Sequence, residues 1–65
     1  MFNYKRMAEL IHDKGLEQKA LAEKVGVSPM MISYIVNGLK EPSLTVLTRI
    51  AKALDVPAAE LITEE

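Results

Sequence analysis

Acid–base chemistry has few candidate residues in this chain. The single histidine, His12, stands next to Asp13, and the sequence contains no cysteine. Adjacent residues on a helix diverge rather than face one another, and no nucleophile or carboxylate pair stands at a useful spacing. One histidine without thiolates cannot build a metal cluster. The sequence therefore predicts no catalytic residue, no metal site and no cofactor, and it places His12 on the surface.

Binding chemistry is instead concentrated in residues 18–37. Ala22 precedes Gly26 by four residues, and Ile32 follows that glycine by six. This spacing predicts two short helices joined by a tight turn, in which Ala22 permits close approach and Gly26 supplies a positive φ. The second helix of such a helix-turn-helix normally enters a DNA groove. What the protein binds therefore depends on the side chains that residues 28–37 expose.

The apolar spacing elsewhere predicts an all-α domain without strands. Ser28 and Ser43 are the expected N-caps of the third and fourth helices. Glu17 is a weak cap, so we expect the second helix to fray first. The five expected helices span approximately residues 3–14, 18–25, 29–37, 44–54 and 57–62.

The fourth helix has the clearest amphipathic pattern and is expected to be the spine of the core. Its apolar residues recur at steps of three and four: Leu44, Leu47, Ile50, Ala51 and Leu54. After it, Leu61 is expected to close the core. Ala58, Ala59 and Ile62 are candidates for a dimer interface, although closure of the core would explain the same residues equally well.

Length and charge limit the class of protein. The 65 residues form one domain, near the lower size at which packing alone can hold a fold. The net charge is −1, but residues 1–54 carry eight basic and five acidic residues, hence +3, and the remaining acids follow as a tail that includes Glu64 and Glu65. We expect no membrane span or signal peptide, and therefore a soluble cytoplasmic protein.

Several segments together closely resemble the lambda-repressor/Cro-type (XRE) helix-turn-helix family. They comprise residues 16–18, 21–28, 37–38, 42–44 and 51–56. The resemblance spans nearly the whole chain. It implies a compact five-helix domain over residues 1–65, with the helix-turn-helix unit at about 18–37. It also implies a transcriptional regulator that binds double-stranded DNA as a homodimer.

The resemblance assigns phosphate contacts to both sides of the second motif helix. In the family, a glutamine at the position of Gln18 anchors a phosphate together with backbone amides of the helix start. Asn37 and Lys40, beside the Gly38 turn, look like the second phosphate clamp. An ordinary solvated role remains open for Gln18 and Lys40. The complete set of phosphate candidates is Gln18, Lys19, Ser28, Asn37 and Lys40.

The base-reading positions implied by the family depart from its usual chemistry. They are Pro29, Met30, Met31 and Tyr34, with Ser33 beside them. Family members commonly place Gln, Arg, Ser or Thr there, because amide and guanidinium groups match purine edges. Methionine can contact a thymine methyl and Tyr34 can donate its hydroxyl, so the expected readout is mainly apolar and shape-based.

A second departure concerns Ile11 and Val36. Many family members carry arginine and glutamate at these positions, as an ion pair between the first helix and the recognition helix. Replacing both partners by apolar residues can be neutral or stabilising, whereas replacing one strands a charge. We therefore infer that Ile11 contacts Val36.

Two functions from different classes remain open. The leading hypothesis is a sequence-specific DNA-binding regulator, acting as a repressor on a palindromic operator and controlled by concentration and dimerisation. The alternative is a protein-interaction module that uses Met30, Met31 and Tyr34 against a protein groove. DNA binding should weaken steeply with salt, whereas an apolar protein contact should not.

Overall fold

The computed structural model describes residues 1–63; Glu64 and Glu65, part of the predicted acidic tail, lie outside the described residues. Residues 1–63 form four α-helices followed by a short 3-10 helix. The helices are α1 (Tyr4–Asp13), α2 (Gln18–Val25), α3 (Pro29–Val36) and α4 (Leu44–Ala53), and the 3-10 helix spans Ala58–Leu61. The all-α prediction and the first four helices are confirmed.

The fifth predicted helix is not confirmed as an α-helix. Residues 58–61 form a single 3-10 turn, and Ile62 is extended at φ −121° and ψ 131°. Ile62 pairs with Phe2 in an isolated antiparallel β-bridge. The Asn3 N–H donates to the carbonyl of Leu61 at 2.7 Å. This pairing draws the chain into an extended conformation, which ends the helix after one turn.

Local side-chain bonds explain where three of the helices begin. Asn3 Oδ1 accepts from the Arg6 N–H at 3.0 Å and Ser28 Oγ from the Met31 N–H at 3.1 Å. Ser43 caps α4 in the same manner, at 3.2 Å from the Val46 N–H. Within the described chain, α2 begins without a side-chain cap. The predicted serine caps and the uncapped start of α2 are therefore confirmed.

The core forms where α2 packs against α3 and α4, and where α1 and the 3-10 helix cover the remaining sides. Leu61 is fully buried, which confirms that it closes the core. The buried residues are Met7, Leu10, Ile11, Leu21, Ala22, Val25, Ile32, Ile35, Leu47, Ile50, Ala51, Leu54 and Leu61.

Leu44 is an exception to the predicted core. Its side chain is 76% exposed. Leu44 is the first residue of α4, where Ser43 and Thr45 are also exposed, so this first turn extends past the elements that cover the later turns. Helical spacing correctly predicted which face of α4 is buried. It did not predict that burial begins only after the first turn of the helix.

Polar contacts also join α1 to the 3-10 helix on the surface. Arg6 Nη2 lies 3.0 Å from Glu60 Oε1, and Arg6 Nη1 lies 3.2 Å from Glu9 Oε1. Hydrogen bonds to Glu60 and then Glu9 raise the pKa of the Arg6 guanidinium above its ordinary value. In the described part of the chain, the helices are too short and too polar to cross a membrane.

Candidate nucleic-acid interface

The turn between α2 and α3 has the geometry that the sequence predicted. Gly26 is in the left-handed region at φ 84°, and its N–H donates to the carbonyl of Ala22 at 2.8 Å. The Val27 N–H donates to the same carbonyl at 3.1 Å. Ala22 is 1% exposed, so its small side chain lies within the packed angle between the helices. These contacts fix α3 relative to α2 and leave the outer side of α3 in solvent.

The exposed side of α3 consists of a row of residues at helical spacing. Met30 is 63% exposed and Tyr34 is 42% exposed. Residues three and four apart lie on one helix face, so Ser33 and Asn37 continue the row. We call Met30, Ser33, Tyr34 and Asn37 the recognition face. Helix α3 itself carries no charged residue, so this face offers hydroxyl, amide and apolar groups.

The structure separates the two predicted methionine readers. Met31 is half-buried and packs against the core, whereas Met30 projects into solvent. Pro29, at the first position of α3, is exposed beside Met30. Of the two methionines, Met30 is therefore the one that a partner of the recognition face would meet first.

Phosphate candidates lie at the start of α2 and at the α2–α3 turn. Gln18 and Lys19 are exposed in the first turn of α2. Ser28 Oγ accepts the Met31 N–H, which leaves its hydroxyl hydrogen free to donate to another group. These side chains can therefore offer an amide and an ammonium at the start of α2 and a hydroxyl at the start of α3.

The second group of phosphate candidates lies at the C-terminal end of α3. Asn37 Nδ2 donates to the Ser33 carbonyl at 2.8 Å and to Ser33 Oγ at 3.5 Å, so the amide is bonded back onto α3. Gly38 follows with φ +76° and reverses the chain. Lys40 is exposed, and no carboxylate of residues 1–63 lies within 4.0 Å of its ammonium group. This end of α3 thus presents an amide and a cation.

Sequence reasoning missed Tyr4 as a neighbour of this second group. The Tyr4 ring lies against Gly38 and borders a cavity of about 250 Å³ that Lys40 also lines. Residues far apart in sequence make this contact, so no local pattern could have indicated it. Two leucines are exposed nearby: Leu39 within the α3–α4 loop, at 74%, and Leu44 at the start of α4, at 76%.

Three basic residues lie together near the C-terminal ends of α2 and α4. Lys24, Arg49 and Lys52 line an open cleft of about 520 Å³. Arg49 Nη1 donates to the carbonyl of Val25 at 3.5 Å. Lys24 and Lys52 lie in the last turns of their helices, where a cation stabilises the carbonyl end. The ends of the two helices therefore account for these charges.

His12 is exposed as predicted, with a side-chain exposure of 92%. The expectation that it diverges from its neighbour was wrong, since His12 Nδ1 lies 3.7 Å from Asp13 Oδ1. Both groups are solvated, and the described residues contain no group of three His, Cys, Asp or Glu side chains that could hold a metal ion.

The predicted dimer residues differ in exposure. Ala58 is half-buried against the core, Ala59 is exposed and Ile62 is 45% exposed. Ala59 and Ile62 thus remain available for a contact with a second copy, whereas Ala58 also serves the core.

The Gly26 turn fixes α3 against α2 and leaves one side of α3 in solvent. Two helices joined in this way define a helix-turn-helix domain. The model of the helix-turn-helix family matches residues 7–61. The chain therefore belongs to the lambda-repressor/Cro-type (XRE) family of helix-turn-helix domains, a DNA-binding family of transcription regulation.

Sequence relatives of this chain are also named as helix-turn-helix regulators. An uncharacterized HTH-type transcriptional regulator of Mycobacterium tuberculosis is 46% identical over 46 residues, which are 71% of this chain. The chain spans 33% of the length of that relative.

Solved structures are similar over most of the chain. The restriction-modification controller protein C.AhdI from Aeromonas hydrophila is 32% identical with a TM-score of 0.86, and the match covers 91% of this chain and 89% of that one. The DNA-binding domain of the P22 c2 repressor is 28% identical with a TM-score of 0.88, over 94% and 80% of the two chains.

Proposed function

We propose that this protein is a sequence-specific DNA-binding transcriptional regulator that represses by binding a palindromic operator as a homodimer. The observation that carries the proposal is the exposed recognition face of α3, with exposed phosphate candidates before and after it in the chain. Gln18 and Lys19 lie at the start of α2, and Lys40 lies beyond the end of α3. Such an arrangement lets the helix enter a groove while the flanking groups contact the two backbones.

Readout on this face is mainly apolar. Met30 offers a flexible thioether to a thymine methyl, and Tyr34 offers one hydroxyl to a base or phosphate. Each such contact discriminates less than a bidentate amide or guanidinium pair, which contributes about 1–3 kcal/mol. Shape and deformability of the operator therefore supply a larger share of the specificity.

The size of the domain suits dimeric binding. Its principal extents are 29 × 21 × 19 Å. Two recognition helices in successive major grooves are separated by about 34–36 Å. Because each copy is at most 29 Å long, two copies in contact reach this spacing when their recognition helices lie toward the far sides of the dimer. The exposed residues Ala59 and Ile62 are the proposed contact between the copies. The repressor among the similar structures supports a repressing role.

Selection of duplexes from a random pool, at low and at moderate salt, tests the proposal. Enrichment of a two-fold symmetric site supports a dimeric, sequence-specific regulator. Retained low-salt binding without enrichment would show non-specific affinity only. The matched variant is Met30→Ala, which we expect to change the enriched site while keeping the non-specific affinity, because Met30 lies on the recognition face.

A second function is favoured by one observation. Met30 and Tyr34 form an exposed, uncharged face, which also suits an apolar groove of a protein partner. Binding of that kind would persist as salt rises, whereas DNA affinity falls linearly in log[salt]. If the protein bound no duplex even at low salt, the protein-interaction function would be favoured over DNA binding.

A further inference from the structure

Tyr4, the first residue of α1, lies directly against the turn between α3 and α4. A β-carbon placed on Gly38 would lie 2.8 Å from both Cε1 and Cζ of the Tyr4 ring and 3.1 Å from Cδ1. Gly38 also has φ +76°, a conformation that L side chains rarely adopt. Two separate constraints, the backbone conformation and the aromatic ring, therefore require glycine at this position.

The Gly38 turn carries the second group of phosphate candidates. Asn37 precedes the glycine and Lys40 follows it by two residues. The Gly38 N–H donates to the Ile35 carbonyl at 3.1 Å, which ties the turn to α3. The ring of Tyr4 packs against the turn from α1, in the space that a side chain at Gly38 would need.

We propose that Tyr4 is a positioning residue for DNA binding, because its ring packs against the Gly38 turn that carries the phosphate candidates Asn37 and Lys40. This inference rests on the proposed function. Without the ring, Lys40 would no longer be held where it can contact phosphate, so the protein would neutralise fewer phosphates and bind more weakly. The atoms that touch the turn are ring carbons, so phenylalanine should position the turn as well as tyrosine does.

The salt dependence of binding to a short mixed-sequence duplex tests the role of the ring. Interactions with phosphate do not read sequence, so this probe needs no known operator. We expect Tyr4→Ala to weaken binding and to reduce the slope of log K against log[salt] by about 0.9 for each phosphate that the protein no longer neutralises. Tyr4→Phe should retain both the affinity and the slope of the wild-type protein.

Partial unfolding would not imitate this result. A fixed unfolded fraction lowers the apparent affinity by the same factor at each salt concentration, so the slope would not change. An unchanged slope in Tyr4→Ala would therefore overturn the proposal. An equal weakening in Tyr4→Phe would overturn it as well, since the hydroxyl would then be the group that matters.

Glycine variants separate the effect of the ring from backbone strain. Gly15 has φ +64° and nothing within 4 Å of an added β-carbon, so Gly15→Ala is the matched control for strain alone. Gly38→Ala should weaken binding more in the wild-type background than in Tyr4→Ala, because removing the ring removes the clash. Equal effects in both backgrounds would show that the ring is not responsible.

Hydrogen exchange in the free protein distinguishes failure of this inference from failure of the proposed function. The Leu39 N–H donates to the Tyr34 carbonyl at 2.8 Å and reports the order of the turn. We expect its exchange to accelerate in Tyr4→Ala and to stay unchanged in Tyr4→Phe, whether or not the protein binds DNA. Unchanged exchange in Tyr4→Ala would overturn the positioning role even if the wild-type protein binds duplexes.

Discussion

Phe2 and Ile62 form an antiparallel β-bridge that joins the first residues to the last described ones. The Thr63 N–H donates to the Met1 carbonyl at 2.7 Å, and the Asn3 N–H donates to the Leu61 carbonyl at the same distance. The bridge holds Ile62 at the surface with 45% of the residue exposed. An aliphatic side chain is thus kept in a defined position on a face that a second copy can cover.

Ile62→Glu should weaken the proposed homodimer, because it places a charge in the proposed contact. Sedimentation equilibrium without DNA measures the effect. Leu39→Glu is the matched control, since Leu39 is also an exposed aliphatic residue but lies in the α3–α4 loop. If Leu39→Glu weakened the dimer and Ile62→Glu left its dissociation constant unchanged, the interface would instead include the α3–α4 loop.

Ile11→Arg should destabilise the domain by about 3 kcal/mol or more, because an unpaired charge would be buried. Ile11 is 8% exposed on α1, which packs against α3, and Val36 is half-buried against the core. Thermal melts measure the destabilisation. Adding Val36→Glu should restore part of the stability, whereas an unchanged melting temperature in the single variant would contradict the predicted contact.

Two substitutions at helix caps should change the stability of the domain in opposite directions. Ser28→Ala removes the hydrogen bond to the Met31 N–H and should cost about 1 kcal/mol. Glu17→Ser gives α2 the side-chain cap that it lacks within residues 1–63 and should stabilise by up to about 1 kcal/mol. Urea unfolding compares them. A decrease in stability in Glu17→Ser would show that the charge of Glu17 matters more than the missing cap.

Lys40→Ala should reduce the salt slope of duplex binding by about 0.9, since one phosphate fewer is neutralised. The control is Lys52→Ala, because Lys52 lies at the opposite end of α4 and lines the cleft beside Arg49. Fluorescence anisotropy over a range of salt gives both slopes. Equal changes in the two variants would indicate diffuse charge rather than a specific interaction of Lys40 with phosphate.

The sequence by itself determined the four α-helices, the serine caps of α3 and α4 and the glycine turn. These features depend on residues within a few positions of one another. Ser28 lies three residues from the amide that it caps, and Gly26 bonds to Ala22 four residues before it. The family motif indicated which side of α3 to consider as a recognition face, and Met30 and Tyr34 are exposed there.

Tertiary structure decided the features that depend on residues far apart in the chain. Periodicity gave the apolar face of α4 but could not show that Leu44 extends past its neighbours. Pairing of Ile62 with Phe2 replaced a fifth α-helix by a 3-10 turn, because the extended partner competes with helical hydrogen bonds. The Tyr4 ring reaches Gly38 only through the packing of α1 beside α3. Short stretches of sequence thus determine local hydrogen bonds and side-chain spacing. Which residues of a helix are buried depends on the other elements that pack against it.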